Sequence, residues 1–288
     1  MRGLALLLAV IAAFAALAGC DSNGRQWPNP SPAIWEVRAP NGERGWLFGT
    51  IHALPDGAEW QTPAIDAALA QAGLLTVEIA DLQDHERGQR ALARRSRSDG
   101  LPPLSQRVPP QDRPRLQALM DRAGLDDSDF RGVKSWAAAL MLANALSTGD
   151  AGNGVDRALL SRKIPVIGLE SFEAQFARFD ALPDSEQADL LLSLEAETAD
   201  GRADGLQEAW LTGDTGAIER LSGSGLLADP ELREALLTAR NRAWLPTVAA
   251  QIEAGKRPFV AVGAAHMAGP DGLPELLAAR GFTVSRLR

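Results

Sequence analysis

Apolar and polar positions along the chain sort into short β-type runs at both ends and longer helical stretches between them. "AIWEVR" (33–38) and "GWLFGT" (45–50) flank the turn "APNGER", which predicts a β-hairpin turning at Asn41-Gly42. "TPAIDAALAQAG" (62–73) has Thr62 in N-cap position, Pro63 at the first helical position and a stop at Gly73, which predicts a helix. "LLTVEIA" (74–80) follows as a strand that carries Glu78 inside an otherwise apolar run. Near the C-terminus "PFVAVG" (258–263) predicts a strand, "LPELLAARG" (273–281) a helix ending at Gly281, and "FTVSRL" (282–287) a last strand.

Each end therefore runs strand, loop, helix, strand, and in each the first strand stops at Gly-x-x-His. These motifs end in His52 ("WLFGTIHALPDG", 46–57) and His266 ("FVAVGAAHMAGPDGL", 259–273), and a Pro-Asp-Gly turn follows both. The stretch between, about residues 104–254, is mostly helical. "SWAAALMLANAL" (135–146) is apolar nearly all round and predicts a buried helix. Asp184 to Gln187 resembles a capping box opening a long helix, and Asp229-Pro230 to Gly255 predicts another with Pro246 inside it. "KIPVIGLE" (163–170) adds a strand ending in Glu170. The expected fold is α/β, with a mixed β-sheet built from two strand–GxxH–helix–strand halves and a large helical insertion between them.

Composition narrows the function. The 288 residues carry a net charge of −8 with 45% apolar residues, which argues against a nucleic-acid partner, since that would need a basic face. The one basic cluster, "RGQRALARRSR" (87–97), reads as a solvated surface. "MRG" followed by "LALLLAVIAAFAALAG" is a short positive start and an apolar stretch too short to span comfortably, so residues 1–19 read as a signal peptide. Leu17-Ala18-Gly19-Cys20 resembles a bacterial lipobox, and Cys20 is the only cysteine, which removes disulfide and thiol-catalysis readings. A protein lipidated at Cys20 sits in the cell envelope, anchored to the membrane and facing the periplasm. Asp21 resembles an inner-membrane retention signal, with the outer membrane left open. Residues 20–33 are rich in Pro, Asn and Ser and read as a flexible tether, leaving 34–288 as a single domain.

The chemistry gathers at the matched motifs. The chain has only three histidines, and His52 and His266 both follow strand ends, where sites collect in open α/β sheets. Two imidazoles with the carboxylate of Glu78 make a common ligand set for a divalent transition metal with a position left for water. Glu78 is otherwise a buried carboxylate needing a partner, and Arg240 is the obvious one. Glu170 reads either as a functional carboxylate or as a charge at a helix N-terminus. Arg240 and Trp244 share a helix face, so Arg240 is placed to clamp a carboxylate or steady an oxyanion. Asp156 in "GVDRALL" reads as a helix cap, and His85, in polar "DLQDHERGQR", as surface.

The chain resembles the TraB/GumN family, relatives of the Tiki membrane proteins that act as metal-dependent peptidases. The likeness runs from about Trp35 to Arg286. It rests on "LFGTIHALP", "TVEIAD", "SWAAALML", "GVDRALL", "PVIGLES…Q", "ARNRAW" and "FVAVGAAHMAGPDGLPELLAARGF", the paired Gly-x-x-His motifs being the most specific part. The resemblance implies an active site made of His52, His266, Glu78, Glu170, Arg240 and Asn241. His52, Glu78 and His266 would be metal ligands, Glu170 (or Glu78, if it is not a ligand) the general base, and Arg240 and Asn241 the oxyanion donors. It points to Mn or Co, while the ligand set would equally accept Zn. The implied function is an envelope-anchored metal-dependent hydrolase, most simply a peptidase acting on a peptide or protein substrate. The other reading is a non-catalytic lipoprotein that sequesters a peptide or polymer.

Overall fold

A computed structural model describes residues 28–52, 54, 58–146, 154–199 and 201–287. The expected signal peptide, Cys20, Asp21, most of the expected tether and the Pro-Asp-Gly segment at 55–57 lie outside the described residues. Among the described residues no helix is long and apolar enough to cross a membrane.

Six strands form one sheet: β1 (Ile34–Arg38), β2 (Arg44–Thr50), β3 (Leu74–Val77), β4 (Val166–Gly168), β5 (Pro258–Gly263) and β6 (Thr283–Arg286). Their spatial order is β4-β3-β5-β2-β1-β6. The first four in that order are parallel neighbours, and β1 and β6 extend the sheet antiparallel. The architecture is a mixed α/β fold, as the hydropathy pattern predicts. The expected hairpin is present, with Gly42 at φ 87° in its turn, a backbone conformation that glycine adopts without strain.

The helices are α1 (Pro63–Gln71), α2 (His85–Arg95), α3 (Arg113–Ala123), α4 (Ser135–Leu146), α5 (Val155–Leu160) and α6 (Phe172–Asp180), followed by α7 (Asp184–Glu197) and α8 (Arg202–Thr212). Then come α9 (Thr215–Ser222), α10 (Pro230–Arg233), α11 (Ala239–Glu253) and α12 (Leu273–Ala279). Local chemistry explains their starts. Thr62 Oγ1 accepts from Ile65 N at 3.3 Å to open α1, and Asp229 Oδ1 accepts from Leu232 N at 2.8 Å to open α10. A π-helical stretch, Glu234–Thr238, joins α10 to α11, and α11 continues through Pro246. The expected capping box at Asp184 does not form. Gln187 instead donates to Leu182 O (2.8 Å) and accepts from Trp136 N (3.1 Å), tying α7 to buried α4.

Alternation along the central strands divides the core. Trp46, Phe48, Phe259 and Ala261 face one apolar cluster, with Val155 and Trp210 packed on that side. Leu47, Val260 and Val262 face the other, against Trp244, Val248 and Ile252 of α11. Residues on both faces of β2 and β5 are buried, as parallel strands between helical layers require. A separate helical core around Trp136, Leu140, Phe176 and Leu190 forms the inserted region.

The two ends of the chain share an element order but not a place in the sheet. After β2 the chain crosses β5 to form β3, parallel to it, whereas after β5 it goes to the far edge and pairs β6 antiparallel with β1. The final strands of the two halves are therefore not structural equivalents. The Gly-x-x-His turns are neighbours instead, because β2 and β5 are register partners with Gly49 opposite Val262 and Thr50 opposite Gly263.

Candidate active site

Four parallel strands end on the same edge of the sheet, and each is followed by a candidate side chain. His52 follows β2, Glu78 follows β3, Glu170 follows β4 and His266 follows β5. The arrangement obeys the rule that open α/β sheets gather function beyond the carboxyl ends of their strands. Glu78 is not inside a strand, as the apolar run "LLTVEIA" suggests; β3 stops at Val77 and Glu78 is the first residue past its end. That placement turns its carboxylate toward neighbouring strand ends, where Gly263 N donates to Glu78 Oε1 at 2.8 Å.

Close packing sets the glycines of both motifs. A Cβ on Gly49 would stand 2.9 Å from Ala264 Cα, so the first motif presses directly on the turn of the second. A Cβ on Gly263 would stand 3.3 Å from Glu78 Oε1. Trp210 Nε1 of α8 holds the Gly49 carbonyl at 2.7 Å, fixing the end of β2.

Each imidazole is oriented through Nδ1. Val155 N donates to Ile51 O at 3.0 Å, which seats the start of α5 beside the first motif. Asp156 is thereby brought to His52, with Asp156 Oδ2 2.6 Å from His52 Nδ1. This corrects the helix-cap reading of Asp156: its side chain makes no cap bond, and the residue before α5 is Gly154. At the second motif Asn241 Oδ1 lies 2.6 Å from His266 Nδ1, while Asn241 Nδ2 donates to Asp271 O at 2.8 Å and to His266 O at 3.3 Å. Asn241 is fully buried and clamps the loop that carries His266 to α11. At His266 the Asn241 contact makes Nδ1 the donor side and leaves the lone pair on Nε2; at His52 it is again Nδ1 that faces the side-chain oxygen.

Arg240 sits among the acids. Its Nη2 is 2.5 Å from Glu78 Oε2, its Nε donates to Glu170 Oε1 at 3.0 Å and its Nη2 contacts the same oxygen. Its Nη1 donates to Leu236 O in the π-helical stretch (3.1 Å) and lies 3.2 Å from His266 Nε2. Trp244, four residues on, packs against both, its ring 4.6 Å from the Arg240 Cζ and 4.6 Å from the His266 ring. Glu170 has a second cation in Arg178, 3.5 Å away, and the cap of α6 is Ser171, not Glu170.

These contacts drive the acids apart. Burial alone would raise the Glu78 carboxyl, but the charge of Arg240, helped by His266, the Gly263 N–H and His52, brings it from 4.5 to about 2. Burial raises Glu170 above its ordinary range, with the Glu78 charge in the same direction and Arg240 and Arg178 opposing it. Burial, reinforced by the charge of Arg240, lowers His266 from 6.5 to about 3, so its ring is neutral. Two carboxylates with opposite shifts beside a neutral imidazole are the usual arrangement for dividing acid and base roles.

His52, Glu78 and Asp156 line one small pocket, together with Gln175 and the apolar side chains of Val77, Ile79, Leu82 and Leu160. His85 opens α2 away from this pocket and is partly buried rather than fully at the surface. The arginines of α2 are solvated as expected, pairing with Glu86 and Glu173 at 3.1–3.2 Å.

The donor chemistry fits a divalent transition metal: the Nε2 of the neutral His266, the imidazole of His52, an ionised carboxylate, and more acidic than basic groups around them. His266 Nε2 and Glu78 Oε1 are 4.0 Å apart. His52 does not close the set in this structure. Among the described residues, the group of His, Cys, Asp or Glu whose ligand atoms all lie within 4.8 Å of one another is Glu186, Asp229 and Glu231, on the helical region. Sequence reasoning did not assign Asp156 its place beside His52, and gave Gln175 no role at all. The Gln at the end of the "PVIGLES…Q" match was the available signal for Gln175.

No curated protein and no solved structure matches the chain. The family model described as TraB/PrgY/gumN matches residues 33–286, which spans the sheet, both Gly-x-x-His turns and the helical insertion. A match over nearly the whole chain makes this protein a member of the TraB/PrgY/gumN family.

Proposed function

We propose that the protein is an envelope-anchored, metal-dependent hydrolase that cleaves peptide bonds. The observation that carries this reading is the convergence of His52, Glu78, Glu170 and His266 at the carboxyl ends of four parallel strands. His52, Glu78 and His266 would hold a divalent ion, Mn, Co or Zn. When bound, such an ion supplies an activated water and polarises a carbonyl. For His266 to serve, the Arg240 Nη1 contact to its Nε2 has to open.

The chain's own residues have separable tasks. Asp156 and Asn241 fix the imidazole tautomers through Nδ1. Arg240 keeps Glu78 ionised and would stabilise negative charge on a reacting oxygen; Asn241, expected as a second oxyanion donor, has both Nδ2 hydrogens committed to the Asp271 and His266 carbonyls and positions His266 instead. Glu170, with its raised proton affinity, suits general-base work followed by proton donation to the leaving amine. Lipidation at Cys20 would hold the domain at the membrane surface facing the periplasm.

One observation favours a second reading. Arg240 already pairs with both Glu78 and Glu170, a closed ion network that a rigid, non-catalytic peptide-binding lipoprotein could equally use. A mixed peptide library separates the two. Chelator-stripped protein should cleave it only after Mn, Co or Zn is restored, and His52→Ala and His266→Ala should not cleave it. Saturable peptide binding without cleavage under every metal would establish the binding reading instead.

A further inference from the structure

The proposed hydrolysis leaves one polar group of the pocket without a task. Gln175 is the fourth residue of α6 and is 3% exposed, and among the described residues its buried Nε2 has no hydrogen-bond partner. The same side chain lines the pocket beside His52, Glu78 and Asp156. A carboxamide nitrogen carries two donor hydrogens, and native interiors leave few such donors unmet.

The nearby acids are occupied elsewhere. Glu78 accepts from Arg240 and Gly263, and Asp156 faces His52. Among the described residues no group accepts from the Gln175 Nε2, so a molecule entering the pocket can supply the acceptor. Glu78 and Asp156 on the same walls disfavour an anion, and Val77, Ile79, Leu82 and Leu160 make the remaining surface apolar. A neutral carbonyl oxygen with little polar bulk around it meets both conditions. We propose that Gln175 is a substrate-binding residue whose Nε2 donates to an amide carbonyl oxygen and holds it beside His52 and Glu78. This deepens the hydrolase reading and rests on it for the identity of the carbonyl as one from a peptide.

Two variants test it. Gln175→Met keeps the length without the donors, and Gln175→Glu keeps the shape but presents acceptors. In the metal-restored peptide-library assay each is expected to lower kcat/KM by roughly 10–100-fold, the usual scale for one lost hydrogen bond to a bound substrate. The melting temperature of ligand-free Gln175→Met should be unchanged or higher, because a donor left unmet in the free protein is removed. Wild-type kcat/KM in Gln175→Met together with a melt lowered by several degrees would make Gln175 a structural residue and overturn the proposal. If the wild-type protein cleaves nothing, the hydrolase reading fails on its own, and N-methylacetamide serves as the probe. Titrated into 15N-labelled protein, it should shift the Gln175 side-chain amide resonance, assigned by its loss in Gln175→Met. An unmoved resonance would mean that a water alone meets this donor and would overturn the inference.

Discussion

Gly49 and Ala264, distant in sequence, meet so closely that a Cβ on Gly49 would stand 2.9 Å from the Ala264 Cα. This contact joins the two Gly-x-x-His motifs into one structural unit at the centre of the sheet. Since the obstacle is backbone, Gly49→Ala has to separate β2 from the turn after β5. A loss of about 1–3 kcal/mol is expected, the range for overpacking a tight interior, measured by denaturant unfolding. Gly263→Ala meets a side chain, the Glu78 carboxylate at 3.3 Å, and should impair metal binding more than it impairs folding.

Arg240 compensates two buried carboxylates at once. Arg240→Gln leaves Glu78 and Glu170 facing each other without their shared cation, and should cost about 3–5 kcal/mol in urea unfolding. Glu78→Gln leaves Arg240 its Glu170 partner and should cost less. Equal destabilisation by the two substitutions would mean that Glu78, not Glu170, carries the ion pair.

Acid should weaken the metal-free fold in two stages. A group whose folded pKa lies below its unfolded value takes up its proton more readily when unfolded, so stability falls as pH falls through that interval. His266 acts between 6.5 and about 3, and Glu78 between 4.5 and about 2. Glu78 alone, titrated fully, is on the order of 3 kcal/mol. The raised Glu170 works in the opposite sense and offsets part of the loss. Thermal melts of chelator-treated protein should decline below pH 6.5, and His266→Gln should flatten the profile between 6.5 and 4.5. A wild-type profile flat to pH 4.5 would contradict the buried, neutral state of His266.

The proposed anchoring depends on the Cys20 side chain. Cys20→Ser should lose its acyl mass and leave the membrane fraction for the soluble periplasmic fraction. Retention of the variant in membranes, with intact-mass spectra matching the wild type, would place the anchor elsewhere.

Period and punctuation made much of this fold legible in the chain. The hairpin at Asn41-Gly42, the start of α1 at Thr62-Pro63 and buried α4 each have a local signal that the tertiary structure keeps. The strand-end position of both histidines was legible for the same reason. Sheet order was not, because nothing local to "FTVSRL" says that it pairs with β1 rather than copying the place of β3. Asp156 was misread because its helix begins two residues earlier than a cap at 156 requires, and a backbone bond from Val155 to Ile51 then aims its side chain at His52. Gln187 was misread because a long-range partner, the Trp136 N–H, outcompeted the local capping bond.

The two Gly-x-x-His motifs are proposed to hold one metal ion jointly. Elemental analysis of protein purified without chelator, in parallel with His52→Ala, His266→Ala and His85→Ala, tests it most directly. Stoichiometric transition metal is expected in the wild type and His85→Ala, and its loss in both other variants with their helical circular dichroism intact. Metal retained after loss of either His52 or His266, or metal lost instead on substituting Glu186, Asp229 and Glu231, would contradict it.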